Sequence, residues 1–266
     1  MQNATKIKIG IAGIAGLGLA AIVMAIVFAA GGMGGARDSD EPDMPQQYEY
    51  GTETASNGME LHYLRTRPSN VELLTVRNNV SAAPYYGING GFFYEDALLS
   101  VAVVNDEPVH GESGHYGSGG SNAKYARGTL VWDGAVDRLS VQIVRQAQEI
   151  EVAERTNFWA QGGISMSLGR DEDWRRQAAE EAAPLLDQAS LRSAAVYDAE
   201  GNLYLVVSAT RGTLAAFREA IVERIGVGNL VDGIFLDGDG SSQLRSREKK
   251  LAGDGRLVVQ MLRLIR

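Results

Sequence analysis

An uncharged run of 22 residues, residues 9–30, divides this chain into two unequal parts. As a helix, a run of this length spans about 30 Å, which matches the hydrocarbon core of a bilayer. Lys6 and Lys8 precede the run, and an acidic cluster follows it at residues 38–43. This distribution predicts a transmembrane signal anchor, with residues 1–8 in the cytoplasm and everything after the anchor in the periplasmic or extracellular space. A cleaved signal peptide is the alternative, although its apolar region is usually only ~7–15 residues long.

Residues 31–47 are predicted to be a linker, because Gly, Asp, Pro and Gln dominate them without hydrophobic periodicity. Residues 48–266 then form the folded domain, with enough chain for a sizeable core. The chain has no cysteine, which excludes disulfides, thiolate metal sites and cysteine nucleophiles. Its formal net charge of −8, without a basic stripe, argues against a nucleic-acid partner.

Short apolar runs alternate with glycine-containing turns through the predicted domain. Strands are predicted at residues 59–65, 71–77, 98–104, 129–132, 139–144, 193–197, 203–208, 231–236 and 256–264. Helices are predicted at residues 171–188, disturbed by Pro184, and at 213–225, capped by Thr213. Hairpins outnumber helices. The pattern therefore predicts an α+β fold with a mixed, largely antiparallel sheet and a few helices, preceded by the transmembrane helix.

The stretch YGINGGFFY, residues 86–94, forces an unusual turn between apolar residues. An asparagine side chain such as Asn89 can hold a substrate hydroxyl or amide. Gly90 and Gly91 allow a ligand to approach main-chain N–H groups. The alternative is a hairpin turn that serves only to place the following phenylalanines in the core.

A second stretch, FLDGDGSSQLRSRE, begins at Phe235. Asp237, Asp239 and Glu248 fall at the first, third and twelfth positions of a helix–loop–helix calcium loop. Two features oppose that interpretation: Ser242 stands at the glycine position, and a predicted strand rather than a helix leads into the loop. A nonstandard site for a divalent cation at Asp237 and Asp239 stays open.

The same stretch is also typical of a strand that ends in an acid-bearing glycine turn. Asp237 at the end of the strand is suited to acid–base chemistry. Gly238 and Gly240 can expose main-chain N–H groups, and Ser241 and Ser242 add hydroxyl donors, which together suit an anionic oxygen. A surface turn without a function is the alternative.

GINGGFF (residues 87–93) and FLDGDGSSQL (residues 235–244) resemble the two signature motifs of the phosphodiester glycosidase domain family. An arginine-bearing strand that begins near Arg192 and the helix predicted at 213–225 also occupy the places that the family gives them. The resemblance covers residues 47–266. Two positions depart from the pattern. Asp239 stands where the family has a glycine, and it adds negative charge beside the expected anion site; Gly87 stands where the family commonly has a small apolar residue.

The resemblance implies an exported, membrane-tethered glycoside hydrolase that cleaves a sugar-1-phosphodiester or a related glycosidic bond in envelope or extracellular polysaccharide. Glycoside hydrolysis usually needs two carboxyl groups. Asp237 is the first candidate, followed by Asp239 and Glu95. Arg192 would bind the phosphate through its planar guanidinium, with support from Arg211, and Asn89 would hold the sugar.

Two other functions stay open at the level of sequence. Asp239 favours a non-catalytic glycan-binding or envelope-assembly module on the same fold, because its charge weakens an anion site. A structural domain stabilised by a cation is the third hypothesis. The glycine- and serine-rich residues 111–125 are predicted to form a mobile loop, and His110 and His115, at and within it, show no metal-ligand spacing.

Overall fold

The computed structural model describes residues 44–266. The predicted cytoplasmic segment, the anchor and most of the linker lie outside the described residues. Within residues 44–266, no helix is both long and apolar enough to cross a membrane.

Strands dominate the described chain. They are β1 (Glu49–Thr54), β2 (Glu60–Thr66), β3 (Val71–Asn78), β4 (Gly87–Asn89), β5 (Phe93–Tyr94), β6 (Ala97–Leu98), β7 (Ala102–Val104), β8 (Glu107–Pro108), β9 (Arg127–Asp133), β10 (Arg138–Val144), β11 (Phe158–Gly162), β12 (Ile164–Ser165), β13 (Ser193–Asp198), β14 (Leu203–Ser208), β15 (Leu230–Phe235), β16 (Leu244–Arg245), β17 (Lys250–Leu251) and β18 (Val258–Leu264). The α-helices are α1 (Trp174–Glu180) and α2 (Leu214–Arg224), and single 3-10 turns form at Pro68–Asn70, Ala147–Glu149 and Asp239–Ser241.

The strands form three larger sheets and one small hairpin. A six-stranded sheet has the order β1-β2-β14-β13-β15-β12, and two five-stranded sheets have the orders β10-β9-β11-β7-β8 and β17-β16-β4-β18-β3, while β5 and β6 pair alone. Every strand pairing in the described chain is antiparallel. The α+β class is therefore confirmed, with separate antiparallel sheets in place of the single mixed sheet that we expected.

The six-stranded sheet is buried on both faces. Along β13, Ala194 faces a cluster that includes Phe217 of α2. The next residue, Ala195, faces the opposite cluster, which includes Ile88 of β4 and Leu130 of β9. Successive side chains of a strand point to opposite faces, so a strand covered on both sides needs apolar residues at every position. This explains why β13 and β14 are continuous apolar runs in the sequence.

Helix α2 begins where the sequence predicts it. The Thr213 side chain accepts a hydrogen bond from the Ala216 N–H at 3.1 Å, as expected of a helix cap. The cap fixes the position of Leu214, the first residue of the helix, at the mouth of the cavity described below.

The helix predicted at residues 171–188 is much shorter than expected, and α1 ends at Glu180. Ala182 and Leu185 have φ angles of +55° and +51°, outside the helical region. Pro184 lies between them, and its ring disfavours helical geometry for the preceding residue. The chain after α1 is consequently a loop, and this loop becomes one wall of the cavity.

The strand predicted at residues 98–104 is split into β6 and β7, which belong to different sheets. Between β6 and β7, side chains accept hydrogen bonds from main-chain N–H groups. The Ser100 Oγ accepts a hydrogen bond from the Phe92 N–H at 2.9 Å, and the Asn122 Oδ1 accepts one from the Val101 N–H at 2.9 Å. The N–H groups of Phe92 and Val101 thus donate to side chains and not to a neighbouring strand. The backbone hydrogen-bond ladder is therefore interrupted between β6 and β7.

Candidate functional site

The two glycine-rich stretches meet at Asn89, whose side chain is only 1% exposed. Its Nδ2 donates to the main-chain oxygen of Asp237 at 2.8 Å. Its Oδ1 accepts from the Gln243 N–H at 3.1 Å and from the Ser193 Oγ at 2.8 Å. The amide is therefore occupied by the protein itself. Asn89 holds the Asp237 loop in place, and the sugar-binding role that we assigned to it does not fit this geometry.

Gly90 and Gly91 are needed for packing. A Cβ on Gly90 would lie 1.7 Å from the Gln260 Oε1, and one on Gly91 would lie 2.7 Å from the Gln161 Nε2. Their N–H groups donate to the main-chain oxygen and the side-chain Oε1 of Gln260, at 2.9 and 3.1 Å. Both glycines thus allow close approach of neighbouring protein groups, and their N–H groups are not available to a ligand.

Asp237 lies two residues after the end of β15, and its N–H donates to the main-chain oxygen of Gly90 at 3.2 Å. Burial raises the pKa of its carboxyl group from 3.8 to about 6, although the Ser241 hydroxyl, the Gly238 N–H at 3.1 Å and the positive charge of Arg256 oppose this rise. A carboxyl group with such a pKa can accept or donate a proton near neutral pH. Asp237 is therefore the side chain of this site most suited to acid–base chemistry.

Arg192 immediately precedes β13 and is only 4% exposed. Its Nε donates to the Gly212 oxygen at 3.0 Å, and its Nη2 donates to the oxygens of Leu185 and Gln188 at 2.7 and 2.6 Å. No carboxylate within residues 44–266 forms an ion pair with it. Burial lowers the pKa of Arg192, and the nearby charge of Asp239 opposes this. A buried cation without an ion-pair partner is expensive, so the guanidinium is suited to an anionic ligand.

Asp237 and Arg192 line the same cavity, which has a volume of about 170 Å³. It lies between the end of β15, the loop after α1 and the first turn of α2. Its remaining polar lining comes from Ser193, Asp239 and Arg256, and its apolar lining includes Phe92, Ile164, Leu185, Leu214 and Phe235. Pockets for drug-sized ligands usually measure ~300–1,000 Å³. The cavity is therefore suited to one small group with an anionic end.

Asp239 has a φ angle of +52°, a conformation that glycine adopts at no cost and that aspartate tolerates. This explains how an aspartate can stand at a position where the motif that the sequence resembles has a glycine. Its carboxylate pairs with the Arg211 Nη1 at 2.9 Å. Arg211 therefore offsets the charge of Asp239 and is not free to bind the same anion as Arg192.

The surroundings of Asp237 and Asp239 do not fit a divalent cation. Arg192 and Arg256 line the cavity, and Arg211 holds Asp239. No group of three or more His, Asp or Glu side chains in the described part of the chain is arranged to bind a metal. The positive charge of these three guanidinium groups disfavours a divalent cation at Asp237 and Asp239.

The expected cradle of N–H groups does not form around residues 238–242. The Gly238 N–H donates to the Asp237 Oδ1, and the N–H groups of Ser241 and Ser242 close the 3-10 turn by donating to Gly238 and Asp239, each at 3.1 Å. Gly240 is required because a Cβ there would lie 2.1 Å from the Asp254 Oδ2. The Ser242 hydroxyl is buried and has no hydrogen-bond partner among the described residues. The buried Ser241 hydroxyl lies beside the Asp237 carboxyl group and lowers its pKa, as a hydroxyl donor to a carboxylate does.

Glu95 is not brought to this cavity. It lies in the turn between β5 and β6, and it lines a second cavity together with His110 and Glu112. We predicted Glu95 to be a second carboxyl group beside Asp237, and this position contradicts that prediction. The turn of the β5–β6 hairpin does not line the first cavity.

Arg256 is a cavity residue that the sequence did not indicate. It precedes β18 in a surface turn, where its Nε lies 3.0 Å from the Asp254 Oδ1. An arginine two residues after an aspartate is an ordinary surface pattern, and only the folding of this turn over Gly240 brings it to the cavity.

No protein-family model matches the chain, and no curated protein matches it. Several solved structures are similar to it, and two of them are described here. One is the catalytic domain of zebrafish N-acetylglucosamine-1-phosphodiester alpha-N-acetylglucosaminidase, auto-inhibited by its pro-peptide, with 16% identity, a TM-score of 0.57, and coverage of 86% of this chain and 85% of that chain. The other is a hypothetical protein from Synechocystis, with 16% identity, a TM-score of 0.52, and coverage of 82% of this chain and 62% of that chain.

The chain has a phosphodiester glycosidase-like fold. At 16% identity the likeness extends to the fold alone. It supports the fold that the two sequence motifs indicated, and the chemistry has to be argued from the cavity.

Proposed function

We propose that this chain is a hydrolase that cleaves the glycosidic bond of a sugar-1-phosphodiester in envelope or extracellular polysaccharide. We also propose that it is exported and tethered to the membrane by residues 9–30. One observation carries the chemical part: the carboxyl group of Asp237, with a pKa of about 6, and the buried guanidinium of Arg192 line one small cavity. The likeness to the zebrafish glycosidase domain supports the choice of bond.

In this proposal Arg192 binds the phosphate, and the sugar ring lies against the apolar wall. Water adds to the anomeric carbon, and the bond between that carbon and the phosphate oxygen breaks. The electron pair of that bond leaves with the phosphate monoester, whose negative charge Arg192 stabilises. Asp237 in its carboxylate form accepts the proton of the attacking water.

A single carboxyl group suffices because of the leaving group. Glycosidases that expel a sugar alcohol need a second carboxyl group to protonate it. A phosphate monoester is already stable as an anion, so it does not need that proton. This agrees with the pairing of Asp239 with Arg211 and with the position of Glu95 at a different cavity. A one-step attack by water predicts inversion at the anomeric carbon.

The test uses a synthetic N-acetylglucosamine-1-phosphodiester, with phosphorus NMR to follow the phosphate monoester. We expect turnover by the wild-type chain and none by Asp237→Asn. Asp232→Asn is the matched control, because Asp232 also belongs to β15 and is partly buried but does not line the cavity. In oxygen-18 water the label should enter the sugar. Unchanged turnover by Asp237→Asn, or label in the phosphate, would refute the proposal.

A non-catalytic glycan-binding module is the second candidate. Asp239 favours it, because this aspartate places a carboxylate at the rim of an anion-binding cavity. Binding of a sugar-1-phosphate that depends on Arg192, without any product after long incubation, would support this candidate over the hydrolase. The membrane tether has its own test: the full chain should sediment with membranes, and a chain lacking residues 1–47 should not.

A further inference from the structure

A second, larger cavity lies at the surface and shares no lining residue with the cavity of Asp237 and Arg192. Its volume is about 490 Å³, within the ~300–1,000 Å³ typical of small-molecule sites. The turn of the β5–β6 hairpin forms one wall, and residues 110–118 form the other. We call it the tyrosine cavity, after Tyr94 and Tyr116.

The walls of the tyrosine cavity are held by the main chain. The Leu98 N–H donates to the Gly117 oxygen at 2.9 Å, and the His110 N–H donates to the Ser118 oxygen at 3.0 Å. Gly117 has a φ angle of +84° and packs so closely that a Cβ there would lie 2.7 Å from the Cβ of Ala97. Main-chain hydrogen bonds therefore hold both ends of this wall, residues 110 and 117–118, to the fold.

Two large aromatic side chains stand exposed at this cavity. Tyr94 is 67% exposed and Tyr116 is 75% exposed. The protein gains little packing from rings in such positions, while a flat ligand placed against them would cover apolar surface and could bond to their hydroxyls. A saccharide ring has this character, because its faces carry C–H groups and its edges carry hydroxyls.

The polar lining of the tyrosine cavity is acidic. Glu95, Asp96 and Glu112 contribute three carboxylates, which accept hydrogen bonds from hydroxyl or ammonium groups. His110 Nε2 lies 3.7 Å from Asp96, and His115 Nδ1 lies 3.4 Å from Glu112. Of these carboxylates, Asp96 also pairs with an arginine outside the cavity. The excess of negative charge repels phosphates and favours a cationic ligand, in contrast to the arginine-lined first cavity.

We propose that the tyrosine cavity binds an oligosaccharide that carries protonated amino groups, such as a glucosamine unit. The tyrosine rings bind the sugar faces, and the carboxylates bind the ammonium and hydroxyl groups. A short basic peptide offers ammonium groups as well, but it has no ring faces to lie on two tyrosines above a cavity of this size. The site does not depend on the proposed hydrolysis, because none of its residues belongs to the Asp237 cavity.

The test measures binding to the full-length chain by titration calorimetry, with the glucosamine trimer as the probe. We expect Tyr94→Ala and Tyr116→Ala each to weaken binding by about fivefold to tenfold, in line with the loss of one aromatic contact. Tyr125→Ala is the matched control, because Tyr125 is an exposed tyrosine outside this cavity and its removal should leave affinity unchanged. Glu112→Gln should reduce the preference for the glucosamine trimer over the N-acetylglucosamine trimer.

Asp237→Asn separates this site from the proposed active site, since it should lose turnover and keep full affinity for the glucosamine trimer. The proposal is overturned if the trimer does not bind, if neither tyrosine variant weakens binding, or if Asp237→Asn removes it. Equal affinity for a lysine trimer would also overturn it, by showing that charge alone is recognised. Circular dichroism of each tyrosine variant checks that it is folded.

Discussion

Replacing Asp237 by asparagine should inactivate the chain and at the same time stabilise it at neutral and alkaline pH. Burial raises the pKa of Asp237 from 3.8 to about 6. In the pH range between these values the folded chain holds a proton that the unfolded chain has lost. The free energy of unfolding therefore falls as the pH rises through this range, and the loss is complete above pH ~6. The pKa difference corresponds to ~3 kcal/mol.

Asparagine has nearly the same shape and no charge, so Asp237→Asn removes this destabilisation. We expect the variant of residues 44–266 to exceed wild type by up to ~3 kcal/mol at about pH 8 and to match it at about pH 4. Urea unfolding at both pH values measures the difference. A buried carboxylate lowers the stability of the fold. Its presence is therefore expected at positions where function requires it.

Two results would refute this reasoning. If wild type and Asp237→Asn have the same free energy of unfolding at both pH values, the carboxyl group is not destabilised by burial. If the variant is less stable at about pH 8, the hydrogen bonds that the charged carboxylate accepts from Ser241 and Gly238 outweigh its desolvation. The activity of wild type supplies an independent check: it should rise with pH through about 6, because the carboxylate form is the one that accepts the proton.

Three further predictions concern the neighbours of Asp237. Asn89→Ala removes three buried hydrogen bonds and should lower the free energy of unfolding by ~3 kcal/mol in urea titrations; a loss below ~1 kcal/mol would contradict the holding role of Asn89. Arg192→Gln should abolish the rise in melting temperature that inorganic phosphate produces in wild type, whereas Arg256→Gln should only reduce it. Asp239→Gly should bind phosphate more tightly, because it removes a carboxylate that lines the cavity; weaker binding in calorimetry would refute this.

Much of the local structure follows from the sequence alone. The continuous apolar runs of β13 and β14 predict buried strands because both faces of their sheet are covered. Thr213 predicts the start of α2 because a threonine hydroxyl can satisfy a free N–H group of the first turn. The two glycine-rich motifs indicated the fold, since their glycines stand where neighbouring groups leave no space for a side chain.

The sequence was a poorer guide wherever a distant side chain replaces a backbone partner. The predicted strand at residues 98–104 is broken because Asn122 reaches Val101. Where α1 ends, Pro184 was a local signal, but the Glu181 carboxylate also accepts the N–H groups of Gly128 and Ser165, at 2.8 and 2.7 Å. Neither bond leaves a local pattern that hydrophobic periodicity could reveal.

The sequence by itself determined which residues carry ionisable side chains beside the glycine-rich motifs, and the tertiary structure decided which of them line one cavity. Asp237 and Arg192 were recognisable from the motif and the strand beside it, because a carboxyl group or a guanidinium at the end of a strand is a local feature. The roles of Asn89, Arg211 and Glu95 were not recognisable, because each depends on a partner more than fifteen residues away or on the cavity that a hairpin faces. Burial raises the pKa of Asp237 and encloses the Arg192 guanidinium. The degree of burial depends on how the sheets pack and cannot be read from the local sequence.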